Sequence, residues 1–481
     1  MAGSDQTDVV VIGSGACGLV AALTAAEASA KVIVVEKQRS IGGTSNFLDG
    51  TFAVESEMQR KSYITFSRDE AFKAIMEYSH WRANPRLVRA IVDESAGTIS
   101  WLQGHGVEFS DATINMPNSP RTYHVVKGQG AALIKALATA AKGIAIDIRT
   151  GTPAKRILKE RGRAAGVVVE YEGNEVEIAA KAVIIASGGF ANNREWIKKY
   201  AGFDLDVNAI PVGNVDKTGD GIRMAFEAGA ADEGLGVLEL NNVGPVGPQF
   251  AMKNAIELVV AQPDLWVDPQ GERFCNEEIG FYGSSTGNAG ARHREGWFYR
   301  LFDDSIKVTL LKKGIERNVG MDNPPGTKPV SVDRELEAAL TSGSTEVFAG
   351  HSLGELAEKM GIDKQVLKAT VEEYNAFCDK GHDDLFAKEP KYLRPLIGAR
   401  FYAVKTRTVF LGTLGGIKIN HKAEVLDKKG KAIPGLYAGG YDAGGMYGDS
   451  YCISTTSGLS SAFATNSGRI AGRSAVEYTK R

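Results

Sequence analysis

Residues Asp8 to Lys37 limit what this chain can fold into more than any other stretch. "DVVVI", Asp8 to Ile12, is an unbroken apolar run rich in β-branched residues, the pattern of a strand buried on both faces of a parallel sheet. Gly13, Gly15 and Gly18 follow in GxGxxG spacing, "LVAALTAAEAS" then reads as a helix of small residues, and "KVIVVEK" as a second strand ending at Glu36. The first glycine permits a tight turn, the second lets the backbone approach a pyrophosphate, and the third lets helix pack on strand. The helix N-terminus offers unpaired N–H groups to the anion. Strand, glycines, helix, strand and acid in this order predict a dinucleotide-binding βαβ unit. It places Gly13, Gly15, Ala16 and Gly18 at the phosphates and Glu36, with Lys37 beside it, at a ribose.

The segment alone does not choose between NAD and FAD. A second glycine-rich turn, "GGTSN" from Gly42 to Asn46, follows the ribose acid directly, so Gly43, Thr44 and Ser45 are placed to carry a longer cofactor along the protein. A β-meander with turns expected at Arg161–Gly162 and Gly173–Asn174 then leads into a closing strand, "AVIIASGG". Strands inserted into a Rossmann unit in this way point to FAD. The expected cofactor set is completed by Ala154, Ser187, Gly188, Gly219 and Asp220 of "TGDG", Gly440 and Ser457. From about Asn241 to Gly412 the pattern changes to mixed strands, helices and prolines, and sheet-like "GGIKI" and "PGLYAGG" follow before a final helix. The expected fold class is α/β. Residues 1–240 and 413–481 form a Rossmann-like FAD-binding domain with an inserted β-meander, and 241–412 a separate α+β domain.

Composition removes several function classes. Fifty-six lysines and arginines against fifty-eight acids give a net charge of −2, so no basic field suggests nucleic acid or a membrane surface. Cys17, Cys275, Cys378 and Cys452 lack CxxC spacing, which argues against a zinc site, a cluster or a disulfide framework and fits a reducing cytoplasm. No leader pattern and no membrane-spanning apolar run is read. A small-molecule partner is the expectation, with an electron donor or acceptor that the sequence does not name.

Several landmarks together carry a resemblance: "VVVIGSGACG", "VEK" followed by "GGTS", "VIIASGGF", "TGDG", "GERFCNE", "GGIKIN" and "PGLYAGG". The chain resembles the soluble fumarate reductase and 3-ketosteroid dehydrogenase superfamily of FAD-dependent oxidoreductases over nearly its whole length. The resemblance implies FAD extended across the Rossmann-like domain and a mobile capping domain over the isoalloxazine ring. FAD is expected to be non-covalent, because Asn46 and Phe47 stand where flavinylated relatives carry a histidine.

Departures from the fumarate reductase pattern are informative. "RFCNEEIGFYGSS" puts Phe281 or Tyr282 at the proton-donating arginine, "LGTLGG" puts Gly412 at a substrate-binding histidine, and "GGMYGDSYCISTTSG" puts Tyr451 at the carboxylate-clamping arginine. His124 in "TYHVVKGQG" resembles the histidine of "HRPTGG". A carboxylate buried without its arginine is costly, so fumarate and succinate are not expected substrates. Tyrosines in these places resemble the ketosteroid dehydrogenase branch, where one removes a proton and another holds the ketone oxygen. By that resemblance the catalytic set is Tyr451, Tyr282, Ser454 and His124. The expected activity is dehydrogenation next to a ketone in an apolar, cyclic substrate. An enone or enoate reductase and an electron-transfer subunit are the alternatives. Tyr441, Tyr447 and Tyr123 are read as packing.

Overall fold

The computed structural model describes residues 5–116, 118–451 and 455–481. Contacts between Cα atoms divide the chain into two compact units, residues 1–203, 211–239 and 411–481 in the first and 204–210 and 240–410 in the second.

The first unit is built on an eight-stranded sheet. Strand β1 (Asp5–Ile12) lies parallel between Val32–Val35 and Asn174–Ile185, with Val10 opposite Ile33 on one side and Val183 on the other. Ala432–Ala438 extends the sheet in parallel beyond Asn174–Ile185, and Asp147–Arg149 extends it beyond Val32–Val35. Val9, Val10 and Val11 are fully buried, as the continuous β-branched run requires of a strand covered on both faces. Helix α1 (Ala16–Glu27) covers one face together with the final helix, Leu459–Thr479. Their approach depends on glycine: a Cβ on Gly468 would stand 2.5 Å from the Cys17 carbonyl oxygen, and one on Gly472 2.7 Å from that of Ala21.

The meander consists of Ala154–Glu160, Arg163–Tyr171 and Asn174–Ile185, paired antiparallel. Its first turn is at Arg161–Gly162, where both residues have positive φ, 48° and 82°. The second turn lies one residue earlier than the sequence suggests, at Glu172–Gly173 with φ of 50° and 77°. A two-residue hairpin loop of this hand needs positive φ at both central positions, and Gly173 takes the second of them as Gly162 does.

The second unit contains antiparallel strands Leu265–Val267, Trp297–Asp303 and Val347–Gly350, which with the strand that begins at Phe401 form one sheet. Helices Ala255–Val260, Val332–Thr341, Leu353–Met360 and Lys364–Lys380 bury Ile256, Leu336, Leu356 and Leu367 in its core. Trp266 is fully buried there. Residues 204–210, which the sequence reading leaves with the first domain, group with this unit. Asn208 donates from Nδ2 to the Arg294 carbonyl at 3.4 Å, and Gly296 leaves no room for a Cβ beside the Asn208 backbone. Among the described residues, no helix is long and apolar enough to cross a membrane.

Candidate active site

The predicted cofactor residues of the first unit come together around the N-terminus of α1. Gly13 has φ of 104° and a Cβ there would overlap the Ala186 carbonyl oxygen, while a Cβ on Gly18 would overlap that of Gly13. These are the tight turn and the close packing that the spacing predicts. Gly15 differs: a Cβ there would meet Ser45 Oγ at 3.5 Å and the Gly42 carbonyl oxygen at 3.6 Å, ordinary contact distances without overlap. Ala16 N–H donates to Ser45 Oγ at 3.0 Å, tying the second glycine turn, Gly43–Phe47, to the helix. Glu36 at the end of its strand accepts from Ser14 N–H at 2.9 Å, Ser14 Oγ at 2.6 Å and Gln38 N–H at 2.8 Å, which fixes the carboxylate in place. Lys37 pairs with Asp220 at 2.9 Å, and Thr44 Oγ1 lies 3.3 Å from Asn214 Oδ1. Gly219, with φ of 85°, precedes the helix Asp220–Glu227.

On the other side of this cradle Asp442 accepts from Ser187 Oγ at 3.0 Å and from the N–H groups of Gly188 and Gly189 at 2.9 and 3.1 Å. Gly440 N–H donates to Ser467 Oγ at 3.0 Å, Ser457 is buried, and Ala154 opens the meander. Lys217 is a component the sequence reading missed. Its ammonium sits against the second glycine turn and the Ser187–Gly189 loop, 3.3 Å from where a Cβ on Gly43 would be and closer still to one on Gly188. Burial lowers its pKa, and the nearby Asp442 and Glu36 oppose that. The N-terminus of α1, an acid fixed at the end of the second strand and a half-buried lysine fit an anionic dinucleotide such as FAD.

A second cluster in the same unit holds the hydroxyls. Glu239 is 5% exposed and accepts from Tyr441 Oη at 2.7 Å and from Ser460 Oγ at 3.2 Å. Tyr451 Oη lies 3.4 Å from Ser460 Oγ, at the start of the final helix. Tyr447 packs its ring 5.7 Å from that of Tyr451 and 5.8 Å from Phe463, and its buried hydroxyl has no partner among the described residues. Burial pushes the phenols of Tyr441, Tyr447 and Tyr451 well above their ordinary pKa, so all three remain hydrogen-bond donors. Burial also raises Glu239. Among the described residues, no lysine, arginine or histidine pairs with it.

Gly412 belongs to this cluster. A Cβ there would stand 2.5 and 2.6 Å from Cε2 and Cζ of Tyr441, so the Tyr441 ring fills the space that any side chain at 412 would need. Tyr441, read from the sequence as packing, therefore occupies the place where the resemblance expects a histidine. Gly412→Ala is expected to displace that ring, break its bond to Glu239 and lower stability by about 1–3 kcal/mol. Thermal unfolding of the variant checks this.

Tyr282 and Phe281 lie in the second unit, at the junction of the short helix Glu277–Phe281 and the helix Gly283–Ala291. Phe281 is 7% exposed and its ring lies 5.3 Å from that of Tyr392, tilted by 48°, whereas Tyr282 is half-buried. Of the pair, Phe281 is thus the one committed to packing. Close glycine contacts set this junction, since a Cβ on Gly287 would stand 2.5 Å from Asn241 N. Beneath it, Arg273 bonds both Glu277 and Asp383 at 2.7–3.0 Å, and Lys388 reaches Glu277 at 3.2 Å. All four are buried.

His124 is fully buried, with Ser56 Oγ 2.7 Å from Nε2 and the Thr122 carbonyl 3.1 Å from Nδ1. Among the described residues, no hydrogen bond joins it to the hydroxyl cluster. Burial lowers its pKa to about 4 from the ordinary 6.5, so the folded protein keeps it neutral. The resulting stability is complete above pH 6.5, fades as the pH falls toward 4, and amounts to about 3 kcal/mol. Urea unfolding of His124→Gln should lack this acid-side loss, which the unaltered protein should show. Ser454 lies outside the described residues.

Comparison with known proteins agrees with this geometry. The FAD binding domain family matches residues 8–454. The chain is 34% identical over 488 residues to a vinyl phenol reductase from Lactiplantibacillus plantarum, covering 100% of this chain and 98% of that protein. The open conformation of a flavocytochrome c3 fumarate reductase superposes with a TM-score of 0.76 at 25% identity, over 100% of this chain and 80% of the other. The 3-ketosteroid delta1-dehydrogenase from Sterolibacterium denitrificans shares the fold with a TM-score of 0.80 at 19% identity, over 98% of this chain and 100% of the other. The chain belongs to the FAD binding domain family and is an FAD-dependent oxidoreductase acting on CH–CH groups.

Proposed function

We propose that the chain reduces a C=C bond conjugated to a neutral oxygen function, with a vinyl phenol as the first candidate substrate. The observation that carries this reading is the buried set of phenol hydroxyls around Glu239, one of them unpaired at Tyr447. A buried polar group without a partner is costly in the absence of a ligand, and neutral donors match a neutral phenol or ketone oxygen. A dicarboxylate would find no cation in this cluster among the described residues, and its desolvation would go uncompensated. The 34% identity to a vinyl phenol reductase along the full length supports the reductive direction and the phenolic class.

Bound FAD supplies the hydride, which is the cofactor's own chemistry. The protein's share is to hold the oxygen with Tyr451 and to control protons. Dehydrogenation of a saturated ketone, the activity expected from the sequence, is the same chemistry in the opposite direction and is the second arm of the test.

The test is steady-state turnover of the holoenzyme. With reduced viologen as donor, a vinyl phenol, a cyclic enone and fumarate are compared, and with a dye acceptor, saturated cyclic ketones. The expected order puts the vinyl phenol first and fumarate at background. Fumarate turnover at a rate comparable to the vinyl phenol would overturn the reading. Ketone oxidation as the fastest reaction would restore the dehydrogenase.

A further inference from the structure

Glu239 has no explanation in the scaffold. It is a buried acid on the strand Leu238–Val243, between Leu238 and Leu240, with no cation paired to it among the described residues. Burying an unpaired carboxylate is expensive, and a residue of similar shape without charge would fill the same space at lower cost. What surrounds it is a connected set of exchangeable protons: Tyr441 Oη at 2.7 Å, Ser460 Oγ at 3.2 Å, and Tyr451 Oη a further 3.4 Å from Ser460. Two of these contacts are long, as catalytic hydrogen bonds often are before substrate binds.

We infer that Glu239 is the proton reservoir for the substrate's oxygen, exchanging a proton with it through Ser460 and Tyr451 during each turnover. This rests on the proposed reduction of a vinyl phenol. The step balances as follows. The phenol O–H proton passes to Tyr451 as the Tyr451 proton moves to Ser460 and that of Ser460 to the Glu239 carboxylate. The electrons released at the oxygen push through the ring, and the C=C pair forms a new C–H bond at the terminal carbon with a proton drawn from solvent. The hydride chemistry that FAD would supply when bound would complete the inner carbon, and the electron pair would return to the oxygen. Glu239 then gives its proton back along the same path. The net change is one hydride and one proton added to the double bond, with Glu239 restored.

Such a reservoir must be a carboxylate when substrate binds and yet take up a proton readily, and burial raises Glu239 in the direction that makes it a better proton acceptor. The titratable groups facing it are the phenols of Tyr441 and Tyr451, with those of Tyr123 and Tyr447 further out, and all four are themselves raised by burial. None of them changes charge at neutral pH. Glu239 is the carboxyl of this cluster, and burial shifts it upward.

The inference makes Glu239 a positioning and relay residue rather than one that touches the reacting carbons. Its test is Glu239→Gln, which keeps shape and a hydrogen-bond acceptor but cannot shuttle a proton. In infrared spectra of the holoenzyme, a carboxylic acid C=O band should vanish as pH rises through a value above the ordinary carboxylate range, and should be absent from the variant. The kcat for a vinyl phenol should fall by roughly 10²-fold with KM little changed. The acid limb of the wild-type kcat profile should be lost. Glu239→Asp, which restores the proton, should recover part of the rate.

A variant with kcat and pH profile within a few-fold of wild type would overturn the inference. So would a band that titrates in the ordinary carboxylate range. If no vinyl phenol is turned over, the proposed substrate falls, and the infrared titration still decides whether Glu239 holds a proton at neutral pH.

Discussion

Tyr451→Phe should lower kcat by roughly 10²–10³-fold while leaving fold and flavin content intact. The phenol sits 5% exposed at the head of the final helix, its hydroxyl 3.4 Å from Ser460 Oγ and its ring against Tyr447. Burial raises its pKa well above the ordinary phenol value, so it is a donor at neutral pH. Removing the hydroxyl removes one oxyanion-type donor at the point where charge develops on the substrate's oxygen, and keeps the ring that packs. A packing tyrosine would respond differently, with a modest change in stability and turnover within a few-fold. Steady-state kinetics on a vinyl phenol, with flavin absorbance as the control for cofactor content, distinguishes the two. Tyr451→Phe and Glu239→Gln should be non-additive, because both act on one proton path.

The largest effect on stability is expected at Arg273. Its guanidinium is 2% exposed in the side chain and holds two fully buried carboxylates, Glu277 and Asp383, through four hydrogen bonds of 2.7–3.0 Å. Burial alone would lower its pKa, and the bonds to Glu277 and Asp383 outweigh that and keep it charged. The same bonds hold Asp383 down at about 2 against the effect of burial. With Lys388 the set is electrically neutral, two cations against two anions. Arg273→Met leaves two buried carboxylates facing one ammonium. The expected loss is about 3–5 kcal/mol, measured by equilibrium urea unfolding. A loss below about 1 kcal/mol would mean that the carboxylates protonate or reach water instead. Arg273→Lys should recover only part of the loss, since an ammonium cannot reproduce the planar fork.

The fold was readable because its strongest signals are local. Two β-branched strands, a helix of small residues and glycines at fixed spacing lie within about thirty residues, and each local preference agrees with the tertiary structure it enters. The resemblance added the capping role and the FAD assignment, and the family match over residues 8–454 bears out the cofactor and the superfamily. Small offsets arose where geometry is decided by one dihedral or by pairing at a distance. The second meander turn moved by a residue because Gly173 takes the second positive-φ position, and residues 204–210 left the first domain because Asn208 meets Gly296 and Arg294.

The site was harder to read for the same physical reason. Glu239 looks like any acid between two leucines, and its partners Tyr441 and Ser460 lie 202 and 221 residues further along the chain. Nothing local announces that burial will raise its pKa. The loss of a histidine at 412 was legible, but that the Tyr441 ring fills the vacated space follows only from three-dimensional packing. The choice between Phe281 and Tyr282 likewise turns on burial against Tyr392, which spacing within "GFYG" does not encode.

The central claim is that a hydroxyl-lined cluster takes a neutral, conjugated oxygen and directs reduction of the adjoining double bond. The most direct measurement is a single turnover of the photoreduced holoenzyme without oxygen, following flavin absorbance after mixing with a vinyl phenol, its methyl ether or fumarate. The account predicts rapid reoxidation by the vinyl phenol and none above background by fumarate or the ether, which has no proton to exchange with the cluster. Reoxidation by fumarate or by the methyl ether as fast as by the vinyl phenol would contradict it.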